Sequence, residues 1–498
     1  MMPRAALLTL WSLVLFAACF ALDTRHNRFP WHYHPDEPGK VEQVMTGNWN
    51  LHHPLLLLGT AKVIVDHSSE ARQEQRVVEI GRAVSAAFIA GAIVALSLLA
   101  YAWRGWPAAL LTGALLGTHH QLFELAHYFK EDSALLFGLS LAALALWLYA
   151  ERPSARRALF LGAACALAIS GKYLGVVSLA FALPVLVKQR ARGAGLAFVL
   201  ALLAVFTLVN WPLFTELTTF RESFGREVAL VVKGQGGATQ RVPHTEYWTS
   251  FRDNTTPAIW LLLVVFLVAR WRERRSLSLA EGLLIGFPFA YTLALSFSPK
   301  ANDRYYLPAT AWLCLLAAMG ASDLAARWPR RGVWSIAALL LVGAQFPDWS
   351  ASHPGWISYE QAFQVDDQTG LIEFLRRDVS PNAVLLKDSR IALPEPQQKK
   401  HAVPLDVIPQ KVIAKHFAAD AGDFDGLRAQ GITHVIVSES DYGKFFRARL
   451  HPQKGQESSF ARRREFYSRL FNEADLLWER ERGTVIYLHP GIRVYRLR

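Results

Sequence analysis

The chain has 498 residues, 52% of them hydrophobic and 19% charged, with a formal net charge of +12. Those averages alone would suit a large soluble protein. Long uncharged runs, however, fill residues 1–350, and 351–498 read like an ordinary water-facing domain, so the expectation is one membrane domain followed by one globular domain. The positive charge is no nucleic-acid footprint. Short loops at Arg4, Arg104, Arg152–Arg157, Lys188–Arg192, Arg270–Arg275 and Arg327–Arg331 hold fifteen basic residues, against only Glu151, Glu273, Glu281 and Asp323 in or near them, the asymmetry that marks the cytoplasmic side of a multi-pass protein.

In chain order, about eleven apolar spans are expected from length and loop charge. They lie near 5–22, 83–102, 107–122, 133–150, 158–171, 174–187, 195–212, 257–270, 280–297, 307–321 and 333–347. The first reads as a retained helix rather than a cleaved leader. Cys19, Cys165 and Cys314 fall inside spans and read as small buried apolar groups, with neither a disulfide framework nor a zinc cluster. The count puts the N-terminus inside and four segments outside: 23–80, 119–132, 213–256 and 298–306.

The first external segment carries Trp31-His32-Tyr33-His34-Pro35-Asp36-Glu37-Pro38. Adjacent carboxylates on a loop point in different directions, so one can face a substrate while the other orients a partner. A carboxylate beside the dry membrane edge gains proton affinity, which suits a general base. An acidic turn after a proline is the plain alternative. The same segment holds two helix-like stretches, Pro38–Met45 and Pro54–Asp66, the second too short to span and suited to lying along the interface.

His127-Tyr128-Phe129-Lys130-Glu131-Asp132 heads the fourth span. Acids at a helix N-terminus are favourable by themselves, but a lysine beside them adds a second charge type to the same face. Ser170-Gly171-Lys172-Tyr173 separates two short spans. A lysine at the bilayer centre costs about 2.5–3.5 kcal/mol on insertion scales, so Lys172 belongs at the outer interface or in a polar cavity. Gly234-Gln235-Gly236-Gly237 is a flexible patch suited to ordering over a ligand. Lys300-Ala301-Asn302-Asp303-Arg304-Tyr305-Tyr306-Leu307-Pro308 joins cations and aromatics just before a span. Several fixed cations at one interface suit a phosphate or pyrophosphate, although each alone can snorkel to headgroups. His52 and His53 with Asp36 or Glu37 leave a metal site open.

Beyond residue 350 the pattern predicts a small α/β domain: a helix over Gly370–Asp378, strands at Ala383–Asp388 and His434–Ser438, a helix over Phe466–Ala474, and a closing hairpin of Val485–Leu488 with Ile492–Tyr495. The Arg462-Arg463-Arg464 run reads as a solvated face.

Together these elements resemble the GT-C superfamily of integral membrane glycosyltransferases, and within it the protein O-mannosyltransferase and aminoarabinose transferase group. The resemblance rests on the acidic pair after the first span, His52-His53-Pro54-Leu55 in the same loop, Glu131-Asp132, Ser170-Gly171-Lys172, and Arg304-Tyr305-Tyr306-Leu307-Pro308. It covers most of residues 1–320. The chain departs from the pattern where Leu55 stands for a second proline and Tyr173 for a glycine. The resemblance implies a mainly α, polytopic fold with a small C-terminal α/β domain. It further implies an inverting enzyme that takes sugar from a polyprenyl-phosphate donor and passes it to an acceptor outside the cytoplasm that is protein, lipid or glycan. The Ala-, Leu- and Arg-rich composition points to a bacterium, which would make the membrane the inner one and the outer face periplasmic; a eukaryotic origin would make that face the lumen of the endoplasmic reticulum. Asp36 would be the base, Glu37 its support, and Asp132 the group orienting acceptor or sugar. Lys172, Lys300 and Arg304 would hold the lipid phosphate, with His53, Lys130 and Tyr305 lining the donor site. A divalent metal is compatible with this chemistry but not required. A lipid or solute transporter is the competing class, but internal repeats and midplane charges are not evident. A non-catalytic scaffold would leave the external acids and cations without a common purpose.

Overall fold

The computed structural model describes residues 3–68, 73–233, 239–240, 254–272, 277–298, 303–327, 331–349, 353–393, 408–447, 450–452 and 455–498. Lys300 and the Gly234–Gly237 patch lie outside the described residues. The chain divides into two compact units. The first comprises Met1–Arg28, Gly39–Gly234 and Pro243–Ile357; the second comprises Phe29–Pro38, Gln235–Val242 and Ser358–Arg498.

The first unit is helical. A helix falls on each of the eleven expected spans: α1 Arg4–Asp23, α4 Glu74–Arg104, α5 Trp106–Gly117, α7 Glu131–Glu151, α8 Ala155–Gly171, α9 Val177–Gln189, α10 Ala194–Val209, α12 Pro257–Arg272, α13 Leu279–Leu295, α14 Leu307–Arg327 and α15 Arg331–Gly343. Between them run α2 Glu37–Thr46, whose first two residues are counted with the second unit, α3 Leu56–Asp66, α6 His120–Ala126 and α11 Leu217–Lys233. Among the described residues, four stretches are long and apolar enough to cross a membrane unaided: Arg4–Asp23, Glu74–Arg104, Glu131–Glu151 and Arg304–Ala326. The others are shorter. The apolar outer surface follows from the solvent: Leu13, Leu208, Leu261 and Leu339 are all well exposed, as lipid permits and water would not.

Small residues set the tightest packing. A Cβ on Gly138 of α7 would come 2.3 Å from the Ala168 backbone of α8, and one on Gly171 would come 2.6 Å from the Ala134 backbone. Hydrogen at these two positions lets α7 and α8 approach backbone to backbone, the means by which membrane helices associate without a hydrophobic drive between them.

The second unit is built on a five-stranded sheet: β1 Val384–Asp388, β2 Lys411–Lys415, β3 His434–Ser438, β4 Asp475–Arg482 and β5 Pro490–Arg496. Its order is β2-β1-β3-β5-β4. The first three strands are parallel, while β5 and β4 run antiparallel. Alternation sends side chains to two cores. Leu385, Ile436, Ile492 and Val494 pack with α17 (Asp367–Asp378), which follows α16 (Trp356–Ala362). Leu386, Val435, Val437 and Tyr495 pack on the other face with Phe466, Tyr467 and Leu470 of α18 (Glu457–Glu473). At the end of β1 the buried Asp388 accepts hydrogen bonds from Ala418 N, Ser438 N and Tyr467 Oη at 2.6, 2.9 and 2.8 Å. One carboxylate thus fastens β1 to β3, to the segment after β2 and to α18.

The closing hairpin differs from its prediction. Val485–Leu488 forms a turn, and β5 pairs with Asp475–Arg482 instead. The sequence Asp475-Leu476-Leu477-Trp478-Glu479-Arg480-Glu481-Arg482 hides its strand because it lies at an edge. Both faces are largely open to water, so apolar alternation is weak, and its charges guard the edge. Val485 and Leu488 are buried, which gave the turn its strand-like pattern.

Candidate functional site

The head of α7 gathers charge. Asp132, in its first turn, is 4% exposed. Lys172, the residue that ends α8, places Nζ 2.8 Å from Asp132 Oδ1. Arg304, in the single 3-10 turn Asp303–Tyr306 before α14, places Nε 3.6 Å from Asp132 Oδ2. Both cations lie over the Tyr305 ring, Lys172 Nζ 4.6 Å and Arg304 Cζ 5.6 Å from its centroid, within cation–π range. The close approach of α7 and α8 at Gly171 explains why Lys172 arrives here: the next residue along is the lysine. Two cations face one carboxylate in a largely buried setting, where charge interactions are stronger than in water.

Three further connections were not legible in the sequence. Lys40 of α2 pairs with Glu131, both buried, so the acid next to Asp132 serves to fasten α2 to α7. Buried Asn210, just past α10, donates to Ser170 Oγ at 2.7 Å and accepts from Leu55 N at 2.9 Å. Tyr173 Oη donates to Leu51 O at 3.2 Å. The last two tie residues 51–55, which contain half-buried His53, to the turn that bears Lys172. Tyr173, a departure from the family pattern, therefore has a local task. Lys130 is buried; its N–H donates to Ser85 Oγ at 3.2 Å and its carbonyl accepts from Ser133 Oγ at 2.7 Å.

Asp36 and Glu37 belong to the second unit. They do diverge in direction: Glu37 is fully buried and Asp36 is exposed. The Asp36 N–H donates to His34 Nδ1 at 3.2 Å, and the Glu37 N–H to His34 O at 3.1 Å. The structure thus brings together Asp132, Lys172, Arg304 and Tyr305 in the first unit, with His53 tied to the Lys172 turn, and carries the acidic pair in the second. Among the described residues no group of three or more His, Cys, Asp or Glu is arranged to hold a metal ion.

Comparison with known proteins agrees with this architecture. The dolichyl-phosphate-mannose-protein mannosyltransferase family pattern matches residues 67–224, a stretch that includes Asp132, Lys172 and Asn210. No curated protein sequence matches the chain. Among solved structures, ArnT from Cupriavidus metallidurans bound to undecaprenyl phosphate is similar at 15% identity and a TM-score of 0.52, over 98% of this chain and 97% of that one. The same protein in the apo state gives 14% identity and a TM-score of 0.50, over the same shares. The Archaeoglobus fulgidus oligosaccharyltransferase in complex with zinc and sulfate gives 12% identity and 0.45, over 87% of this chain and 65% of that one. The helical unit, the C-terminal sheet and the end-to-end likeness to ArnT lead to one conclusion: this chain is a multi-pass membrane protein with the fold of the GT-C glycosyltransferases.

Proposed function

We propose that the chain is an inverting glycosyltransferase that moves a sugar from a polyprenyl-phosphate carrier to an acceptor outside the cytoplasm. The observation that carries this reading is the convergence of Lys172 and Arg304 on Asp132, with both cations within reach of the Tyr305 ring. The likeness to a structure holding undecaprenyl phosphate supports the choice of donor.

In this mechanism Asp36 takes the proton from an acceptor hydroxyl or amine. The freed lone pair attacks the anomeric carbon from the side opposite the phosphate. The carbon–oxygen bond to phosphate breaks, its electron pair leaves on the polyprenyl phosphate, and the sugar carbon inverts. Lys172 and Arg304 receive the growing phosphate charge, with Lys300 assigned to the same task by the sequence alone. Stabilising charge where it develops is the largest service a preorganised site offers. Asp132 keeps the two cations aimed and orients acceptor or sugar. Glu37 supports Asp36, while His53, Lys130 and Tyr305 line the donor site. The chemistry leaves a divalent metal optional. In a bacterial inner membrane, with the N-terminus cytoplasmic, the acceptor face is periplasmic.

The test uses the purified full chain in lipid, radiolabelled polyprenyl-phosphate hexoses and pentoses, and a crude membrane fraction as acceptor. The expected result is release of free polyprenyl phosphate, abolished by Asp36→Asn and weakened by Lys172→Ala or Arg304→Ala. If a well-folded protein consumes none of these donors, the reading fails and transport assays replace it.

A further inference from the structure

Residues 29–38 contain no regular secondary structure until α2 begins at Glu37. An eight-residue irregular segment, 29–36, does not hold a side chain to the tolerance catalysis requires, because each free residue costs about 1–2 kcal/mol of conformational entropy to fix. Something must order it. Three contacts within the second unit do so. The Phe29 and Phe363 rings lie 5.9 Å apart. Tyr33 Oη donates to Asp366 Oδ1 at 3.0 Å. The His34 ring packs on the Tyr487 ring at 4.2 Å, tilted by 53°.

The last contact matters most, because His34 is also the acceptor of the Asp36 N–H. Tyr487 is itself held from behind. Its carbonyl accepts from Gln368 Nε2 at 2.9 Å, and the next carbonyl, of Leu488, accepts from Asp367 N at 3.1 Å. Arg390 lies 6.0 Å from the Tyr487 ring centroid and pairs with buried Asp441 at 3.2 Å, just past the end of β3. A continuous line of contacts therefore runs from the parallel end of the sheet through Arg390, Tyr487 and His34 to the backbone of Asp36.

We infer that the C-terminal α/β unit is a positioning device for Asp36, with Tyr487 as its main positioning residue and Tyr33–Asp366 as a second tie. This rests on the reading of Asp36 as the base. The C-terminal part of the unit, residues 358–498, then has a role in the chemical step without touching the reacting atoms. A misplacement of about 1 Å at a reacting group costs on the order of 100-fold in rate, so loosening this line should lower kcat and leave donor affinity intact.

The experiment measures kcat and donor KM on the full chain in lipid, with a radiolabelled polyprenyl-phosphate sugar and the crude membrane acceptor, alongside hydrogen exchange at Asp36 and Glu37. Tyr487→Leu should lower kcat by about 10–100-fold with donor KM within about twofold, and should speed exchange at the two amides. Tyr487→Phe, which keeps the ring, should restore both. Tyr33→Phe should give a smaller fall in the same direction. If Tyr487→Leu unfolds the sheet, seen as lost protection in β3 and β5, Tyr33→Phe decides alone. Wild-type kcat in Tyr487→Leu with Asp36→Asn inactive overturns the inference and spares the proposed function. Activity retained in Asp36→Asn overturns the base assignment and the inference together.

Discussion

Lys172 and Arg304 grip opposite oxygens of Asp132, Nζ at 2.8 Å from Oδ1 and Nε at 3.6 Å from Oδ2. The three residues lie at the end of α8, before α14 and at the head of α7, so one buried carboxylate joins three parts of the bundle.

That arrangement ranks the consequences of substitution. Removing one partner of a buried ion pair costs about 3–5 kcal/mol, because the survivor is left uncompensated. Asp132→Asn removes a carboxylate that faces two cations and should lie at the upper end of that range. Lys172→Met leaves Arg304 on the carboxylate and should cost less. The double variant should cost less than the sum of the two. Thermal unfolding of the four proteins in lipid gives the cycle, and strict additivity would show that Lys172 and Asp132 are not coupled.

The glycine contact between α7 and α8 predicts a steric effect. Gly171→Val must displace the Ala134 backbone, and Gly138→Val that of Ala168. Overpacking of this kind costs about 1–3 kcal/mol or more. Each variant should unfold at lower temperature, and Gly171→Val should also reduce turnover by moving Lys172. Gly195→Ala, in α10 with open space around its Cβ, is the control and should unfold no earlier than the parent.

Asn210 offers a test of the loop that carries His53. Asn210→Ala removes the acceptor from the buried Leu55 N–H and the donor to Ser170. An unsatisfied buried group costs about 1–3 kcal/mol. Faster hydrogen exchange at Leu55, without change in the second unit, is the expected reading; unchanged exchange would mean that the loop is held by other contacts.

His489 makes the second unit sensitive to pH. Burial would lower its imidazole pKa. The Asp367 carboxylate on Nδ1, at 3.1 Å, and the Ala362 carbonyl on Nε2, at 2.9 Å, outweigh burial and raise it. Both ring nitrogens face acceptors, the arrangement of an imidazolium. A raised folded-state pKa gives stability that is fully present below the ordinary value of about 6.5 and is lost as pH rises through the folded-state value. Protection of the first turn of α17 should therefore fall as pH climbs above the ordinary imidazole value of about 6.5, and His489→Gln should flatten that slope. A slope unchanged by the substitution would place its origin elsewhere.

Much of the membrane unit was legible in advance because a bilayer imposes a local rule. Each apolar run must bury its own backbone hydrogen bonds in a helix, so the positions of eleven helices followed from composition and loop charge. Asp132, Lys172 and Arg304 were legible for a related reason: charges beside apolar spans are expensive and therefore conspicuous. Lys40 was not conspicuous. It sits in a polar stretch, and nothing in the sequence links it to Glu131, ninety-one residues later. Nothing in the sequence links Asn210, just past α10, to Ser170 or to Leu55. The edge strand Asp475–Arg482 was concealed by its own charges.

The sequence by itself determined which segments leave water for lipid, since that choice is a transfer free energy read over some twenty residues at a time. It also determined which residue types could meet a phosphate. Only the tertiary structure decided the pairings: two cations on Asp132, Lys40 on Glu131, Tyr173 on Leu51, and the segment bearing Asp36 folded with a sheet more than three hundred residues further on. Such contacts depend on how closely backbones approach and which side chains that approach brings within about 3 Å of each other, a property of packing that no local pattern encodes.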